Sequence, residues 1–394
     1  MSVVAQRTTK FTQSMITGGS VGNSAGKFEF LGIDCRMLFM TGIGRYLREM
    51  LIRVPQADAG FIALYNNSEQ EEWLSKNCQS ATRVFESSDI YTLGEQWHRP
   101  WLLRKARVVW TPHYNFPVFS SAKQVVTIHD LAHLALPEIF GRGIKRLYAN
   151  FMAQAVARRA AWAMFDSDFS QREFLRLTKR SPANSVVIKL GLGAGMFNSA
   201  PAADGNYLLY VGNVKPNKNL GRLIKALKSV VHEVPCKLRI VGRRQGFITG
   251  DLLEELNDPI VSCRIEFTGE ISDDELKAQY AGAKALVFPS FYEGFGLPPA
   301  EAMAAGCPVL VSRAASLPEV CGEEFNRDTG TGNALYFDPF DCDSIAAAIK
   351  LFFNLSASQR QMMIQNARMH VKKFTWEATS AATWSVICNV LAQS

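Results

Sequence analysis

Short uncharged apolar runs alternate with helix-like segments along most of this chain. Four of the clearest runs are residues 125–128, Tyr207–Val211, Ala285–Phe288 and Val309–Ser312, and each has the length of one strand buried on both faces. Buried strands that alternate with helices favour a parallel, doubly wound sheet. Because 394 residues exceed what one compact core usually holds, we expect two such α/β domains.

The stretch 289–306 lies between two of these strands and carries the clearest chemical signal. A glycine-containing turn leads into a short helix, with Pro298 in its first turn and Gly306 just past its end. Backbone amides at such a helix start bind phosphate, whereas Glu293 and Glu301 suit hydroxyls better than an anion. Phosphate and hydroxyl binding in one pocket indicate a nucleotide sugar. The same features also fit a purely structural turn, because the helix dipole favours a glutamate near a helix start.

Other polar residues and glycines follow further strand candidates. His129 comes directly after the run 125–128, and a histidine at the carboxyl end of a buried strand can face a cleft. Lys218 lies in a strand-to-helix turn, where its ammonium can neutralise a diphosphate. Gly42 and Gly44 open a predicted helix through residue 51, after a strand predicted over residues 28–34. A structural histidine, an exposed lysine and a tight turn are the alternatives.

Composition limits the class of protein. An apolar fraction of 47% with 20% charged residues is ordinary for a soluble enzyme. The eight cysteines form no Cys-x-x-Cys pair, so we expect reduced thiols and a cytoplasmic protein. Neither a membrane span nor a secretory signal is expected, and residues 1–27, with three basic and no acidic side chains, read as a flexible basic arm.

Positive charge is concentrated in the first half of the chain. Residues 1–180 hold 23 basic and 15 acidic side chains, whereas residues 181–394 hold 20 and 21. Such a bias suits an anionic partner, for which nucleic acid and anionic lipid are the candidates; we expect lipid and no nucleic acid. A helix predicted over residues 144–164 can rest on a membrane surface, although packing is the alternative. Its basic and apolar residues are Arg142, Lys145, Arg146, Arg158 and Arg159, with Tyr148, Phe151, Met152 and Val156.

Several of these segments together resemble glycosyltransferase family 4. The two glutamates of that family, separated by seven residues, match Glu293 and Glu301. Its His-Asp-Leu, Pro-x-Lys-Asn and Gly-Ile-Gly-Arg-Tyr segments match residues 129–131, 216–219 and 42–46. The resemblance extends over nearly all of the chain from residue 28. It implies an α/β architecture called GT-B, in which two Rossmann-like doubly wound parallel-sheet domains face each other across a cleft.

The domain boundaries follow from this resemblance and from composition. Residues 191–204 are rich in Gly, Ala and Pro and read as the linker. We therefore expect an acceptor-side domain over residues 28–200 and a nucleotide-sugar-binding domain over residues 201–377. By family precedent, a final helix over residues 378–394 returns to the first domain.

The resemblance also implies roles for individual residues. His129 and Glu293 would position the donor sugar and act in catalysis, while Glu301 would hold the ribose. The other residues expected to bind the donor are Gly42, Gly44, Lys218, Arg243, Phe295, Gly296 and Leu297. Many family members carry Arg where this chain has Asn213, so Lys218 is the main cation expected here.

Two metal-binding patterns were considered and set aside. His133 stands four residues after His129, but no third ligand of suitable spacing follows. Asp166-Ser167-Asp168 has the Asp-x-Asp form of a different glycosyltransferase fold, yet it precedes a helix start where such residues are typical caps. We expect no metal and no other cofactor, since the nucleotide sugar is itself a substrate.

The expected reaction is transfer of a sugar with retention of anomeric configuration. The chain resembles bacterial mannosyltransferases that build surface polysaccharides, so GDP-mannose is the first expected donor. The acceptor would be a hydroxyl of a saccharide or of a polyprenyl-diphosphate-linked saccharide. A UDP-sugar-dependent transferase, a sugar-nucleotide epimerase of the same fold and a non-catalytic binding protein remain as alternatives.

Overall fold

The computed structural model describes residues 25–55, 60–141, 143–198, 205–243 and 256–394. Most of the expected basic arm lies outside these ranges, as do Arg142 and residues 199–204 at the end of the expected linker. The boundary expected between residues 200 and 201 therefore stays a prediction.

Seven parallel strands form the first sheet. They are β1 (Leu31–Asp34), β2 (Ile62–Tyr65), β3 (Thr82–Phe85), β4 (Val108–Thr111), β5 (Lys123–Ile128), β6 (Ala160–Phe165) and β7 (Ser185–Val187). Their order is β3-β2-β1-β4-β5-β6-β7, and every pairing is parallel. The strand order reverses between β1 and β4, and sheets of this kind bind ligands outside the carboxyl ends of the strands at that point.

The helices of this domain connect and cover its strands. They are α1 (Thr41–Leu51), α2 (Ser68–Asn77), α3 (Glu95–Leu102), α4 (Ala132–Ala135), α5 (Pro137–Phe140), α6 (Ile144–Arg159) and α7 (Asp168–Thr178). Two sequence predictions were wrong here. The strand expected from residue 28 begins only at Leu31, since Ala25–Phe30 form a 3-10 helix. The helix expected over residues 144–164 ends at Arg159, because the residues that follow pair with β5 as a buried strand.

The second sheet has six parallel strands. They are β8 (Tyr207–Val211), β9 (Lys237–Val241), β10 (Ile265–Gly269), β11 (Ala285–Phe288), β12 (Val309–Ser312) and β13 (Leu335–Phe337), in the order β10-β9-β8-β11-β12-β13. Helix α8 (Ala194–Phe197) precedes this sheet in the chain. The helices that follow in the second domain are α9 (Leu220–Ser229), α10 (Pro259–Ser262), α11 (Asp273–Gly282), α12 (Leu297–Ala305), α13 (Leu317–Cys321), α14 (Cys342–Asn354) and α15 (Ala357–Val371). This sheet reverses its order between β8 and β11, which gives it the same kind of ligand-binding edge.

The last helix, α16 (Trp376–Ala392), packs against the first sheet and its helices. Trp384 is its anchor, with ring centroids 6.1 Å from Phe28 and 5.7 Å from Trp110. Its indole N–H donates to the Met50 carbonyl at 3.1 Å. The outgoing and returning segments cross so closely that a Cβ on Gly191 would lie 2.2 Å from a backbone nitrogen of the returning segment. The two segments that connect the first domain with the second therefore lie in close contact with each other.

Candidate active site

The glycine-rich turn after β11 leads directly into α12. Gly296 before the helix has φ 104° and Gly306 after it has φ 82°, and glycine tolerates this left-handed region best. Pro298 lies in the first turn, as expected, but Pro299 follows it, so two consecutive residues lack an N–H group. The amide donors of the first turn are thus confined to Leu297 and the residues before it. The helix start is a weaker anion site than the sequence suggested.

Lys218 and Glu293 form an ion pair, with 2.5 Å between Nζ and Oε1, although 75 residues separate them. Lys218 follows β8 and Glu293 follows β11, so both lie where the strand order reverses. The side-chain amide of Asn219 ties the two loops together, because it donates to the carbonyls of Pro289 at 3.0 Å and Pro339 at 2.7 Å. The cation expected to bind a diphosphate and the acid expected to bind the sugar therefore share one site.

Glu301 lies in a different environment from Glu293. Its carboxylate is buried, accepts a hydrogen bond from the Tyr280 hydroxyl at 3.0 Å and forms an ion pair with Arg45 of the first domain. Burial raises the pKa of Glu301, and Arg45 and Tyr280 offset only part of that effect. Arg45 was missed from the sequence, although it directly follows Gly44 in a segment that resembles the family.

His129 lies at the carboxyl end of β5, and its ring is held from two sides. Its Nδ1 contacts the Asp166 carboxylate at 2.6 Å, and Tyr46 packs edge-on with ring centroids 4.9 Å apart. Burial disfavours the charged imidazolium, but Asp166, with smaller contributions from Asp130 and the Pro112 carbonyl, outweighs burial, and the pKa of His129 is raised. The buried Nε2 makes no hydrogen bond of ordinary geometry among the described residues, and the Pro112 carbonyl beside it contributes to the raised pKa. Contact of this nitrogen with a ligand hydroxyl stays a prediction.

The sequence offers Asp166 as part of an Asp-x-Asp metal pattern or as one of several possible helix caps. The cap of α7 is Ser167, whose hydroxyl accepts from the Ser170 amide at 3.0 Å. Asp166 is buried and faces His129. A carboxylate that accepts from Nδ1 fixes the orientation of the imidazole and leaves Nε2 pointing away from it.

The two domains meet directly at Gly294. The hydroxyls of Ser167 and Ser170 donate to its carbonyl at 2.6 and 3.1 Å. A Cβ at this position would lie 1.6 Å from the carbonyl oxygen of His129, so only glycine fits between the two backbones. This contact brings Glu293, which precedes Gly294, to the same part of the cleft as His129.

The two glycines after β1 differ in their surroundings. A Cβ on Gly44 would lie 2.4 Å from the Leu38 carbonyl oxygen, and the Gly44 amide donates to the Met40 carbonyl at 2.7 Å. Close packing of the turn therefore explains Gly44. A Cβ on Gly42 would meet no atom within 4 Å, so the approach to this backbone is open. Contact of either glycine with donor phosphates stays a prediction.

The contacts of Arg243 and Phe295 do not include Lys218 or Glu293. Arg243 is exposed and pairs with Glu270 at 2.5 Å, while its amide donates to the Asn213 side chain at 3.1 Å. Asn213, which stands where many family members have Arg, thus shapes the turn around Arg243. Phe295 is buried against Phe374, with ring centroids 5.4 Å apart, so only its backbone can face a ligand.

Within the described ranges, no three His, Cys, Asp or Glu side chains converge as metal ligands. The His133 ring, considered above as a partner for His129, packs against Phe140 with centroids 4.5 Å apart. Over the same ranges, every helix is too short or too polar to cross a membrane. Metal independence of the reaction stays a prediction.

Comparison with known proteins gives a family match for the second domain. Residues 196–370 match the family "Glycosyl transferases group 1". The O-antigen chain mannosyltransferase B of Escherichia coli is 28% identical over 373 residues, which cover 87% of this chain and 95% of the relative. The O-antigen chain mannosyltransferase RfbU of Salmonella typhimurium is 30% identical over 251 residues, or 62% of this chain and 64% of that protein.

Solved structures match the whole fold at low sequence identity. Anabaena Alr3699/HepE, solved in complex with UDP and glucose, superposes with a TM-score of 0.70 at 15% identity and covers 91% of this chain and 99% of its own. WaaG, a glycosyltransferase involved in lipopolysaccharide biosynthesis, gives a TM-score of 0.68 at 15% identity, again covering 91% and 99%. The expected GT-B arrangement of two parallel-sheet domains is confirmed.

Proposed function

We propose that this glycosyltransferase, which has the GT-B fold and a group 1 domain over residues 196–370, transfers mannose from GDP-mannose to a saccharide hydroxyl. The acceptor we favour is a saccharide, free or linked to polyprenyl diphosphate, in surface polysaccharide assembly. The choice of mannose rests on the names of the relatives. The observation that carries transfer is the contact of Lys218 with Glu293 in one cleft with His129.

The proposed mechanism gives the diphosphate the central role. The bond between the anomeric carbon and the phosphate oxygen breaks, and its electron pair passes to the leaving diphosphate. Lys218 stabilises that growing negative charge. The acceptor oxygen bonds to the same face of the anomeric carbon, which retains its configuration, and the acceptor proton passes to the departing phosphate. The protein mainly orients the reactants.

The carboxylates and the histidine would orient the donor. Glu293 and Nε2 of His129 would hydrogen-bond the sugar hydroxyls from opposite domains, Nε2 in place of its present contact with the Pro112 carbonyl. Glu301 would hold the ribose, which requires Arg45 to share or release its carboxylate. Because Lys218 supplies positive charge at the diphosphate, we expect turnover without a divalent cation, in the presence of excess EDTA.

One panel of donors tests this function. The protein is incubated with GDP-, UDP- and dTDP-sugars, with and without a bacterial lipid extract, and nucleotide release is followed. We expect acceptor-dependent release of GDP from GDP-mannose, and its loss in Glu293→Ala at saturating donor. Release from a UDP-sugar alone would replace the donor, isomerised donor would indicate an epimerase, and thermal protection without turnover would indicate a binding protein.

We also propose that the first domain rests on an anionic membrane surface. Ile144, Leu147 and Phe151 follow one another along one face of α6 and are 82%, 69% and 54% exposed, beside Lys145. The apolar set expected from the sequence differs, because two of its members lie in the core: Met152 and Val156. We expect the protein to sediment with vesicles of phosphatidylglycerol and phosphatidylethanolamine, and Leu147→Glu with Phe151→Glu to prevent it. Equal sedimentation of that variant would contradict the proposal.

A further inference from the structure

A fully buried group of charges lies at the edge of the first sheet, away from the Lys218–Glu293 pair. Asp34 ends β1 and pairs with Arg36 at 2.7 Å and with Arg99 at 3.1 Å. Arg36 also pairs with Glu95 at 2.7 Å, and all four side chains are at most 1% exposed. Burying an ion costs several kcal/mol, which attraction between the buried charges only offsets. Stabilisation of the fold therefore does not by itself explain this group of charges.

This group of charges fastens two loops to each other. Glu95 accepts a hydrogen bond from the Tyr91 amide at 2.8 Å and another from the side chain of Asn115. Arg99 donates to the Asn115 carbonyl at 2.8 Å. The loop before α3, which carries Tyr91, and the loop after β4, which carries Tyr114, are therefore held by the same buried ions.

Tyr91 is held in an unfavourable backbone conformation. Its φ is 69°, in the left-handed region that bulky side chains rarely adopt. A residue in this conformation is strained and persists where the surroundings fix it, often at functional sites. The bond from its amide to the buried Glu95 supplies that constraint. In this conformation the large aromatic ring of Tyr91 is 44% exposed.

The exposed ring of Tyr91 is part of an aromatic surface. Its centroid lies 6.1 Å from that of Tyr114 at an interplanar angle of 34°, and 6.1 Å from the ring of His113. Partial burial raises the pKa of the Tyr91 and Tyr114 hydroxyls, and the negative charge of the nearby Asp130 adds to both shifts. Asp130 is exposed, so a carboxylate faces solvent beside the two rings.

This surface adjoins the donor site. Asp130 directly follows His129 in the chain, and its Cβ lies 3.2 Å from the position that a Cβ on Gly294 would occupy. The rings of Tyr91 and Tyr114 belong to the first domain, whereas Lys218 and Glu293 belong to the second. A molecule that covers the two rings and Asp130 would thus meet a donor sugar between His129 and Glu293.

We propose that Tyr91, Tyr114 and Asp130 bind the terminal sugar ring of the acceptor. The C–H face of a pyranose packs on an aromatic ring, whose face carries partial negative charge, while sugar hydroxyls donate to a carboxylate. A binding site with apolar walls and a few placed polar groups fits such a ligand. This proposal rests on the proposed glycosyl transfer, to which it adds the position and the chemistry of the acceptor.

The test measures glycoside binding separately from donor chemistry. Saturation-transfer NMR is run with the methyl α-glycosides of mannose, glucose, galactose and N-acetylglucosamine on the wild type and on variants. We expect at least one glycoside to bind the wild type. Its dissociation constant should rise about tenfold in Tyr91→Gly and in Tyr114→Ala, about 1.4 kcal/mol each. Tyr91→Phe should bind like the wild type, since the ring remains, and Asp130→Asn should bind more weakly.

Two controls separate this inference from folding and from the donor proposal. Trp101→Ala removes an aromatic ring of the same domain that is 64% exposed, and should leave glycoside binding unchanged. Tyr91→Gly relieves the strain, so its melting temperature should not fall. Calorimetry should show equal affinity for GDP-mannose in Tyr91→Gly and the wild type. If neither protein binds GDP-mannose, the proposed donor is refuted, while the glycoside-binding result still tests the acceptor site. No glycoside binding to the wild type, or equal binding by the Tyr91→Gly and Tyr114→Ala variants, would overturn the proposal.

Discussion

Gly294→Ala perturbs the contact that closes the cleft. The added Cβ would lie 1.6 Å from the carbonyl oxygen of His129, whereas real Cβ contacts are essentially never shorter than 3.0 Å. The two backbones must therefore separate by about 1.4 Å, the difference between these distances. The hydrogen bond from Ser167 to the Gly294 carbonyl, now 2.6 Å, lengthens with it. Because a displacement of about 1 Å in a reacting geometry can cost on the order of 100-fold in rate, we expect kcat to fall about 100-fold.

The assay separates closure from donor binding. GDP release is measured at saturating donor and acceptor, and GDP-mannose affinity is measured by calorimetry. Lys218, Glu293 and Glu301 belong to the second domain, and the displaced donor contact is that of His129, so donor affinity should fall by less than about tenfold, roughly 1.4 kcal/mol, and by less than kcat. Gly221→Ala is the matched control, since a Cβ there meets no atom within 4 Å. A Gly294→Ala enzyme with a kcat within twofold of the wild type would refute the closed cleft as the reacting state.

Three further substitutions test other contacts. Asp166→Asn removes a charge that raises the pKa of His129, so the pKa of His129 in an NMR titration should fall. The loss of stability relative to the wild type should be largest below pH 6.5, the ordinary pKa of histidine, and should shrink as pH rises through the raised pKa of the wild type. Arg45→Ala leaves Glu301 without its counter-charge, so the pKa of that carboxyl should rise further and the donor KM should increase as pH falls, whereas a pH-independent KM would contradict a ribose contact. Gly191→Ala forces a Cβ against the returning backbone and should lower the free energy of unfolding by about 1–3 kcal/mol in urea, with an unchanged value as the contrary result.

Local sequence was sufficient for strands that are apolar on both faces and bounded by turns. Val309–Ser312 is buried throughout and was placed correctly from its composition. Thr82–Phe85 was missed because it is an edge strand with polar, mostly exposed residues, so its identity depends on pairing with β2. Residues 160–164 are predicted as helix because alanine favours helix locally, but pairing of Ala160–Phe165 in the sheet overrides that preference.

The sequence was enough to place the site residues at the ends of strands, but not to predict which of their side chains contact each other. Glu293, Lys218 and His129 were found because each follows a strand within a recognisable segment. The ion pair of Arg45 with Glu301 joins residues 256 positions apart, and no local pattern reveals such a contact. Asp166 was hidden for another reason, since a short acidic residue before a helix fits capping equally well.

Because Glu293 and Glu301 are each paired with a basic side chain, a donor that binds in the proposed site would have to displace or share these ion pairs. Lys218 pairs with Glu293, and a diphosphate competes for the same ammonium group. Once Lys218 turns to the phosphate, Glu293 loses its counter-ion, and its carboxylate, only 13% exposed, needs new hydrogen-bond donors. Hydroxyls of the donor's transferable sugar would supply them, whereas the nucleoside diphosphate product has lost that sugar. In the proposed mechanism the ion pair would therefore favour the intact donor over its diphosphate product, and re-forming the pair after transfer would help to release that product.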